Sequence, residues 1–490
     1  MAGPRMARPA RLLAGAVVAA VLATSGCTGG GSNGGTASDP RTAAATSRSY
    51  HAGAAGIGDP YFPTYGNGGY DVGHYLVKVR YDPATNRLTG DVTISARATE
   101  NLSSMDLDFA GLTVRSARIN GAVAAYARKQ NELVLRPSAG LTAGADFTVK
   151  VAYDGVPAPL NSSDLGKGGF LHTADGGLAL GEPESASTWF PVNDHPLDKA
   201  TYAIEITVPD GLAAISNGVP AGQTRAGRWT TWRWSEGAPM ASYLATVVIG
   251  HYRVKTSEHA GKPVVTAVAA SLPAGGPEDR TIARTTEVAD FLATQFGPYP
   301  FDAYGGVVLN EERIRYALET QSRPVYSDAF FSAPGRDASW VLAHELAHQW
   351  FGNSVSVHHW RDIWLNEGFA SYAEWLWEEH TGGRSVRQAF EEEYANTSSE
   401  VWQVPPAAPG RQALFSASVY RRGAMTLQAL RMTVGDDAFF RILRGWAAMK
   451  RDANATTAEF IVFAEKISGR SLRKLFDAWL YATGRPPPPR

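Results

Sequence analysis

The sequence predicts a multidomain chain in which an N-terminal antiparallel β-sheet domain precedes a second domain that is mainly helical. Short runs in which apolar and polar residues alternate fill most of residues 61–254. Gly and Asn residues that favour turns separate these runs. After about residue 255 the apolar residues recur at helical spacing instead. Strands followed by helices are typical of separate domains.

The first 27 residues have the organisation of an export signal. Three arginines precede an apolar run over residues 12–23, which is too short for a membrane span of about 20 residues. The run ends in Thr24-Ser25-Gly26-Cys27, which resembles a bacterial lipobox, although Thr24 stands where Leu is usual. We expect lipidation of Cys27 and a position at the extracytoplasmic face of the cell membrane. The alternative is a secreted protein with an incidental cysteine.

Composition limits the possible partners and metal ligands. Residues 28–58 are Gly-, Ser-, Thr- and Ala-rich, which predicts a flexible linker. The 490 residues include 46 basic and 47 acidic side chains, so no charge field favours nucleic acid or an acidic membrane. Cys27 is the only cysteine, which excludes an internal disulfide and a zinc cluster built on several thiolates. A metal must therefore be bound by His, Asp or Glu.

Residues 59–254 are expected to form the β domain. The clearest alternating runs are residues 75–81, 147–153 and 202–208, and Asn120-Gly121 and Asn217-Gly218 mark turns between such runs.

Residues 255–490 are expected to form the second domain. Residues 280–296 have the spacing of one helix that ends at Gly297-Pro298. Further helices are predicted to begin near Ala338, Ile363, Ser385, Val419, Asp437, Thr457 and Leu472.

The metal-binding pattern lies in the helix predicted from Ala338. Residues 344–348 read His-Glu-Leu-Ala-His, which places His344 and His348 one turn apart on one helix face. Two imidazoles so placed can bind one Zn²⁺, and Glu345 can accept a proton from water at the metal. A buried helix with two hydrogen-bonded histidines is the alternative interpretation.

A third protein ligand decides between these interpretations, because catalytic zinc has three protein ligands and an open position. Glu367 follows His348 after eighteen residues, near the start of the next predicted helix. That helix can lie antiparallel to the first and direct Glu367 toward the two histidines. The rival ligands His358 and His359 stand in a predicted loop, where a surface position is expected.

The segment VLAHELAHQWFGNSVSVHHWRDIWLNEGFASYAEWLW resembles the zinc core of the M1 aminopeptidases, the puromycin-sensitive and leukotriene A4 hydrolase-like group. The resemblance extends from about Tyr61 to the C-terminus. It implies a thermolysin-like metallopeptidase domain, with helices at its C-terminal end, that binds one Zn²⁺ through His344, His348 and Glu367. It also implies that Glu345 acts as the proton acceptor.

Three further family motifs can be placed. The family's Gly-Ala-Met-Glu-Asn loop corresponds to Tyr316-Ala317-Leu318-Glu319-Thr320, which implies that Glu319 binds the substrate's α-amine. Glu182 matches the family's second amine-binding position. Tyr420 stands in Tyr-Arg-Arg-Gly-Ala, where the family has Tyr before Lys-Gly-Ala, and this implies a hydrogen bond to the oxyanion.

Together with the metal pattern, the resemblance implies a zinc aminopeptidase that acts on peptides with a free N-terminus, and we expect it to contact the membrane only through its lipid. A thermolysin-like zinc endopeptidase without the amine anchor is the main alternative. A non-catalytic binding module on the same fold is the third, although such proteins normally lose a ligand or the base, and both are present here.

Overall fold

The computed structural model describes residues 49–162, 166–331, 337–396 and 398–488, all within one compact unit of the chain, residues 48–490. The predicted signal segment and Cys27 lie outside the described residues. His51–Ala52 falls in the segment predicted as linker, yet it pairs in parallel with the strand at residues 102–108. Its pairing rests on backbone hydrogen bonds, such as that from Gly53 N to Ser104 O at 2.9 Å, which leave no trace in a hydrophobic pattern.

Strands dominate the chain as far as residue 250. They are β1 (His51–Ala52), β2 (Tyr70–Asp82), β3 (Arg87–Ala98), β4 (Leu102–Asp108), β5 (Thr113–Ile119), β6 (Ala122–Val123), β7 (Ala125–Lys129), β8 (Glu132–Arg136), β9 (Asp146–Gly155), β10 (Leu160–Ser162), β11 (Gly166–His172), β12 (Gly177–Leu180), β13 (Lys199–Pro209), β14 (Ala213–Ser216), β15 (Val219–Ala226), β16 (Trp229–Ala241) and β17 (Val247–Gly250).

These strands form three sheets. The main sheet has the order β15-β16-β13-β2-β3-β9-β5-β6, and the others are β1-β4-β8-β7 and β10-β11-β12-β17-β14. In β2 the residues Tyr75, Val77, Val79 and Tyr81 are buried and alternate with more exposed ones, as the sequence pattern predicts. The main sheet is antiparallel except between β2 and β13, which run parallel. Alternation identifies strands but carries no information about the direction of a neighbour.

The second half combines a small sheet with helices. Its strands are β18 (Tyr252–His259), β19 (Lys262–Ala269), β20 (Tyr304–Leu309), β21 (Val325–Ser327), β22 (Ser356–Val357) and β23 (Asn454–Ala455). Its helices are α1 (Pro277–Ile282), α2 (Thr285–Phe296), α3 (Ser339–Ala347), α4 (Trp364–His380), α5 (Val386–Asn396), α6 (Ser399–Gln403), α7 (Gly423–Val434), α8 (Asp436–Met449), α9 (Thr457–Ser468) and α10 (Arg473–Phe476). None of the described helices is both long and apolar enough to cross a bilayer.

The single helix expected over residues 280–296 is two helices. The chain breaks between α1 and α2, where Arg284 N bonds to Thr281 O in a tight turn. The Thr285 hydroxyl donates to Ile282 O at 2.7 Å. Thr side chains bond readily to nearby backbone and so compete with the helical pattern.

Helices α3, α4 and α7 pack together and determine where the candidate site lies. Gly368 of α4 and Gly423 of α7 meet at the crossing of their helices. A Cβ added at Gly368 would lie 2.9 Å from the Cα of Gly423, closer than real Cβ contacts. The crossing therefore needs glycine on both helices, and it brings their backbones into direct contact.

Two cationic side chains join the β half to the second half. Lys199, the first residue of β13, donates to Asn353 O at 2.7 Å and to Ser354 O at 2.9 Å. Arg323 is fully buried and donates to the carbonyls of Ser216 and Gly218. The predicted division between residues 254 and 255 falls within β18 and remains a prediction.

Candidate metal centre

His344 lies in α3, and His348 is the residue that caps the C-terminal end of this helix, which is buried along nearly its whole length. Their ring centroids are 4.9 Å apart. This is the arrangement that the spacing of four residues predicts for one face of a helix.

Glu367 completes the set from the first turns of α4. Its Oε2 lies 3.3 Å from His344 Nε2 and 3.5 Å from His348 Nε2. All three side chains are buried, and their potential ligand atoms lie within 4.8 Å of one another. Among the described residues, two groups of side chains are close enough to share an ion. One is this trio, and the other consists of Glu319, Glu345 and His348. Neither group includes the rival ligands His358 and His359.

The hydrogen bonds around the trio test whether it suits a metal. His344 Nδ1 lies 2.7 Å from Glu374 Oε1, and His348 Nδ1 lies 3.0 Å from Phe351 O. Each Nδ1 therefore donates a hydrogen bond to an oxygen, which leaves both Nε2 atoms, on the side of Glu367, available to bind a metal ion. Two imidazoles and one carboxylate form a common catalytic zinc donor set with room for a fourth ligand, so the residues fit Zn²⁺.

Sequence reasoning missed Glu374. It stands seven residues after Glu367, which is about two turns along the same face of α4. That spacing is a usable signal, but only once α4 is known to carry the third ligand.

The electrostatics of the trio favour a cation. Burial alone would lower the pKa of His348, but the charges of Glu367 and Glu319 raise it to about 9. Burial likewise opposes ionisation of Glu367, yet the neighbouring His348 and His344 lower its pKa to about 2. The carboxylates thus stabilise positive charge at the two imidazoles, where a divalent ion would bind.

Glu345 follows His344 on α3 and is buried beside the metal ligands. Burial raises the pKa of its carboxyl to about 8, against the opposing charges of His344 and His348. A carboxyl whose pKa lies near neutrality can both accept and release a proton, as a general base requires. A bound cation would lower this pKa.

Glu319 and Glu182 form a second buried acidic pair beside the trio. The Tyr243 hydroxyl donates to Glu319 Oε1 at 2.8 Å. Glu182 Oε1 is buried without a hydrogen-bond partner among the described residues. Burial raises the pKa of both carboxyls, and the charge of Glu319 raises that of Glu182 further. Burial outweighs the charge of His348, which lowers the pKa of Glu319, and a substrate ammonium group can supply the further positive charge that ionisation of the pair needs.

The loop that carries Glu319 is held from several sides. Its carbonyl accepts from Gln349 Nε2 at 3.1 Å and from Asn353 Nδ2 at 2.6 Å. Gln349 belongs to the segment directly after α3, and Lys199 bonds the carbonyl of Asn353. The Glu319 backbone is thus tied to the metal helix and, through Asn353, to the β half. These supports were not evident from the sequence, because their partners lie up to 154 residues apart.

Tyr420 lies in a π-helical turn, Ser418–Arg422, just before α7. Its ring stacks on His344, with centroids 6.0 Å apart and an interplanar angle of 15°. Burial, followed by the charge of Glu367, raises its pKa well above the usual value, so the hydroxyl stays protonated and can donate. Buried Arg422 anchors the turn by bonding Trp479 O and Ala482 O.

The structure thus brings together every predicted site residue of the second half and Glu182 of the first. The helical spacing predicts the metal pair and Glu345. The positions of Glu182, Glu319 and Tyr420 came only from the resemblance.

Comparisons with known proteins identify two family profiles that match this chain. The Peptidase M1 N-terminal domain profile matches residues 72–244, and the Peptidase family M1 domain profile matches residues 281–479. Glutamyl aminopeptidase of Rattus norvegicus is 27% identical over 464 residues, which cover 84% of this chain and 47% of that protein. Aminopeptidase M1 of Arabidopsis thaliana is 26% identical over 336 residues, or 62% of this chain and 36% of that protein. The chain therefore spans about half the length of the first of these curated relatives and less of the second.

Solved structures match over nearly their whole length. The M1 zinc metallopeptidase from Deinococcus radiodurans has a TM-score of 0.81 and 31% identity, with 89% of this chain and 99% of that chain covered. A point mutant of that enzyme was solved with a Tyr-Ser-Ala substrate, and it matches with the same TM-score at 30% identity.

Proposed function

This chain belongs to peptidase family M1, and from that membership we propose that it is a zinc aminopeptidase that releases the first residue of peptides. One observation carries the proposal: the buried pair Glu182 and Glu319 lies beside the His344, His348 and Glu367 trio. A metal site alone is compatible with an endopeptidase. A buried acidic pair next to it, whose ionisation needs a nearby positive charge, favours a substrate that ends in an ammonium group.

The trio His344, His348 and Glu367 would hold the zinc. When bound, zinc polarises the peptide carbonyl and makes water more acidic. Glu345 accepts a proton from the attacking water at a carboxylate oxygen and returns it to the departing amine. Its burial beside the ligands keeps bulk water from competing for that proton.

Two other groups position the substrate and stabilise charge. The Tyr420 hydroxyl donates a hydrogen bond to the carbonyl oxygen as that oxygen gains negative charge. Glu182 and Glu319 bind the α-ammonium group and so fix which peptide bond reaches Glu345. The bond nearest the free amine is the one cleaved.

Hydrolysis of aminoacyl arylamides by the zinc-loaded protein tests the proposal. We expect release of the arylamine, loss of activity with a chelator, and loss in Glu345→Gln with zinc retained. Glu391→Gln, an exposed position on α5, is the matched control and should remain active.

The alternatives give different results. An endopeptidase would cleave N-acetylated peptides as well as free ones. A binding module would bind peptides but hydrolyse neither kind of substrate. Either result would overturn the aminopeptidase proposal.

We also infer that the mature protein is exported and anchored by lipid on Cys27, at the extracytoplasmic face of the membrane. The three arginines, the apolar run over residues 12–23 and the single cysteine at its end support this. The Gly- and Ser-rich residues that follow would serve as a tether. Expression of Cys27→Ser tests the inference: the protein should move from the membrane fraction to the soluble extracytoplasmic fraction. If wild type is already soluble, the anchor is absent.

A further inference from the structure

A groove opens beside the metal ligands. It is lined by the start of α3, one face of α4 and the segment before α7, and its volume is about 830 Å³. Its walls include Trp340, Glu374, Trp375, Phe415, Tyr420 and Arg421. We call it the lateral groove.

The lateral groove meets the metal trio at His344. Glu319 shares its neighbourhood with Glu345 and His348. Glu374 and Tyr420, which line the groove, both contact His344 instead. A peptide whose first carbonyl is at the metal can therefore extend past His344 into the groove, which opens there.

The charges of the lateral groove are not equally neutralised. Four of its charged side chains, Asp337, Glu374, Glu378 and Arg384, each have a hydrogen-bonding partner at 3.1 Å or less. Arg421 is different, because its ion pair with Glu393 has a separation of 3.9 Å. Its side chain is also 56% exposed. A loose, solvated ion pair contributes little, so Arg421 can bind another anion.

Arg421 directly follows Tyr420, and the side chains of both line the groove. We propose that the lateral groove receives the part of the peptide beyond the cleaved bond and that Arg421 binds the free C-terminal carboxylate of short peptides. Arginine suits this role because its planar donors match a carboxylate in a bidentate pair. This inference rests on the proposed aminopeptidase function and names its substrate class as di- and tripeptides.

Paired substrates test the proposal. The zinc-loaded protein is assayed on a tripeptide with a free carboxylate and on the same tripeptide as its C-terminal amide. For wild type we expect kcat/KM to favour the free acid about tenfold, mainly through KM. In Arg421→Gln the ratio should fall to about one, and Arg421→Lys should restore part of it. The ratio is taken within each variant, so a general loss of activity cancels.

Arg387→Gln is the matched control, because this exposed arginine of α5 lies outside the groove and should keep the wild-type ratio. Equal rates on acid and amide in wild type, or an unchanged ratio in Arg421→Gln, would overturn the carboxylate assignment. Hydrolysis of an aminoacyl arylamide by wild type separates the two proposals. If the arylamide is cleaved without a preference for the acid, only the role of Arg421 fails. If it is not cleaved, the aminopeptidase function fails as well.

Discussion

The carboxylate of Glu374 lies 2.7 Å from Nδ1 of His344, so both nitrogens of one imidazole face carboxylates of the same helix. Glu367 faces Nε2 and Glu374 faces Nδ1, about two turns apart on α4. The second carboxylate fixes the ring and its tautomer and makes the metal-facing nitrogen a better donor.

Replacement of Glu374 should weaken zinc binding without removing a ligand. We expect Glu374→Gln to lower zinc affinity by about 10- to 100-fold, because the imidazole loses its charged partner. Competition against a fluorescent chelator measures the affinity. Glu378→Gln, one turn further along α4, contacts Arg384 instead and serves as the control. Equal affinity in the two variants would contradict the prediction.

Loss of the amine-binding carboxylate should remove preference for a free N-terminus. In Glu319→Gln we expect kcat/KM for aminoacyl arylamides to fall by about 10- to 100-fold, because a charge-assisted hydrogen bond to the ammonium is lost. Glu312→Gln changes an exposed residue of the same segment and should have no effect. If Glu319→Gln cleaves arylamides with a free amine as fast as wild type does, Glu319 does not bind that amine.

Tyr420 should matter for the rate and little for binding. We expect Tyr420→Phe to lower kcat by about 10²- to 10³-fold, with KM and zinc content nearly unchanged, because the lost donor acts on charge that develops during the reaction. Tyr481→Phe, at an exposed tyrosine in the other π-helical turn, is the control. A change confined to KM would argue against this role.

The crossing of α4 and α7 should not tolerate a methyl group. We expect Gly368→Ala to lower the free energy of unfolding by about 1–3 kcal/mol, because the added Cβ would overlap Gly423. Urea unfolding measures the change. Gly237→Ala is the control, since a Cβ there would meet nothing within 4 Å. Equal stability of the two variants would show that the helices can separate.

Lys199 should make stability depend on pH. Burial lowers its pKa from 10.5 to about 7 in the folded chain. Between these values the unfolded chain binds more protons, so the free energy of unfolding rises with pH, by at most about 1.4 kcal/mol per unit. Below about pH 7 both states are protonated and the full cost of burying the charge remains.

Urea unfolding of wild type and Lys199→Met from pH 7 to 9 tests this dependence. We expect the difference in free energy to move in favour of wild type as pH rises. Lys466→Met, at an exposed lysine of α9, should show a constant difference. A constant difference for Lys199→Met would mean that Lys199 keeps its charge throughout.

Sequence patterns predicted the features that depend on residues close together along the chain. The spacing of His344 and His348 predicts their shared helix face, and alternation predicts strands such as β2. Most helices begin within three residues of the predicted starts: α4 begins at Trp364 against Ile363, and α9 begins at Thr457 as predicted. The resemblance, not the pattern, provided Glu182, Glu319 and Tyr420.

Long-range contacts could not be predicted in the same way. The bonds from Lys199 to Asn353 and Ser354 join residues more than 150 positions apart, and no periodicity links them. The burial of Arg323 could not be predicted from the sequence either. A charged residue in a loop is normally exposed, yet Arg323 is buried against the backbone of Ser216 and Gly218. The parallel pairing of β2 with β13 likewise depends on topology that alternation does not encode.

Glu182 comes from the strand-rich half and Glu319 from the helical half, and Lys199 reaches across to support the loop of the latter. On the proposed function, the two halves therefore share one active centre, and neither half can carry out the reaction without the other. If recombination at the junction joined halves from two relatives, the residues that determine which N-terminal residue is accepted would come from different proteins. The two halves should therefore evolve under a common constraint.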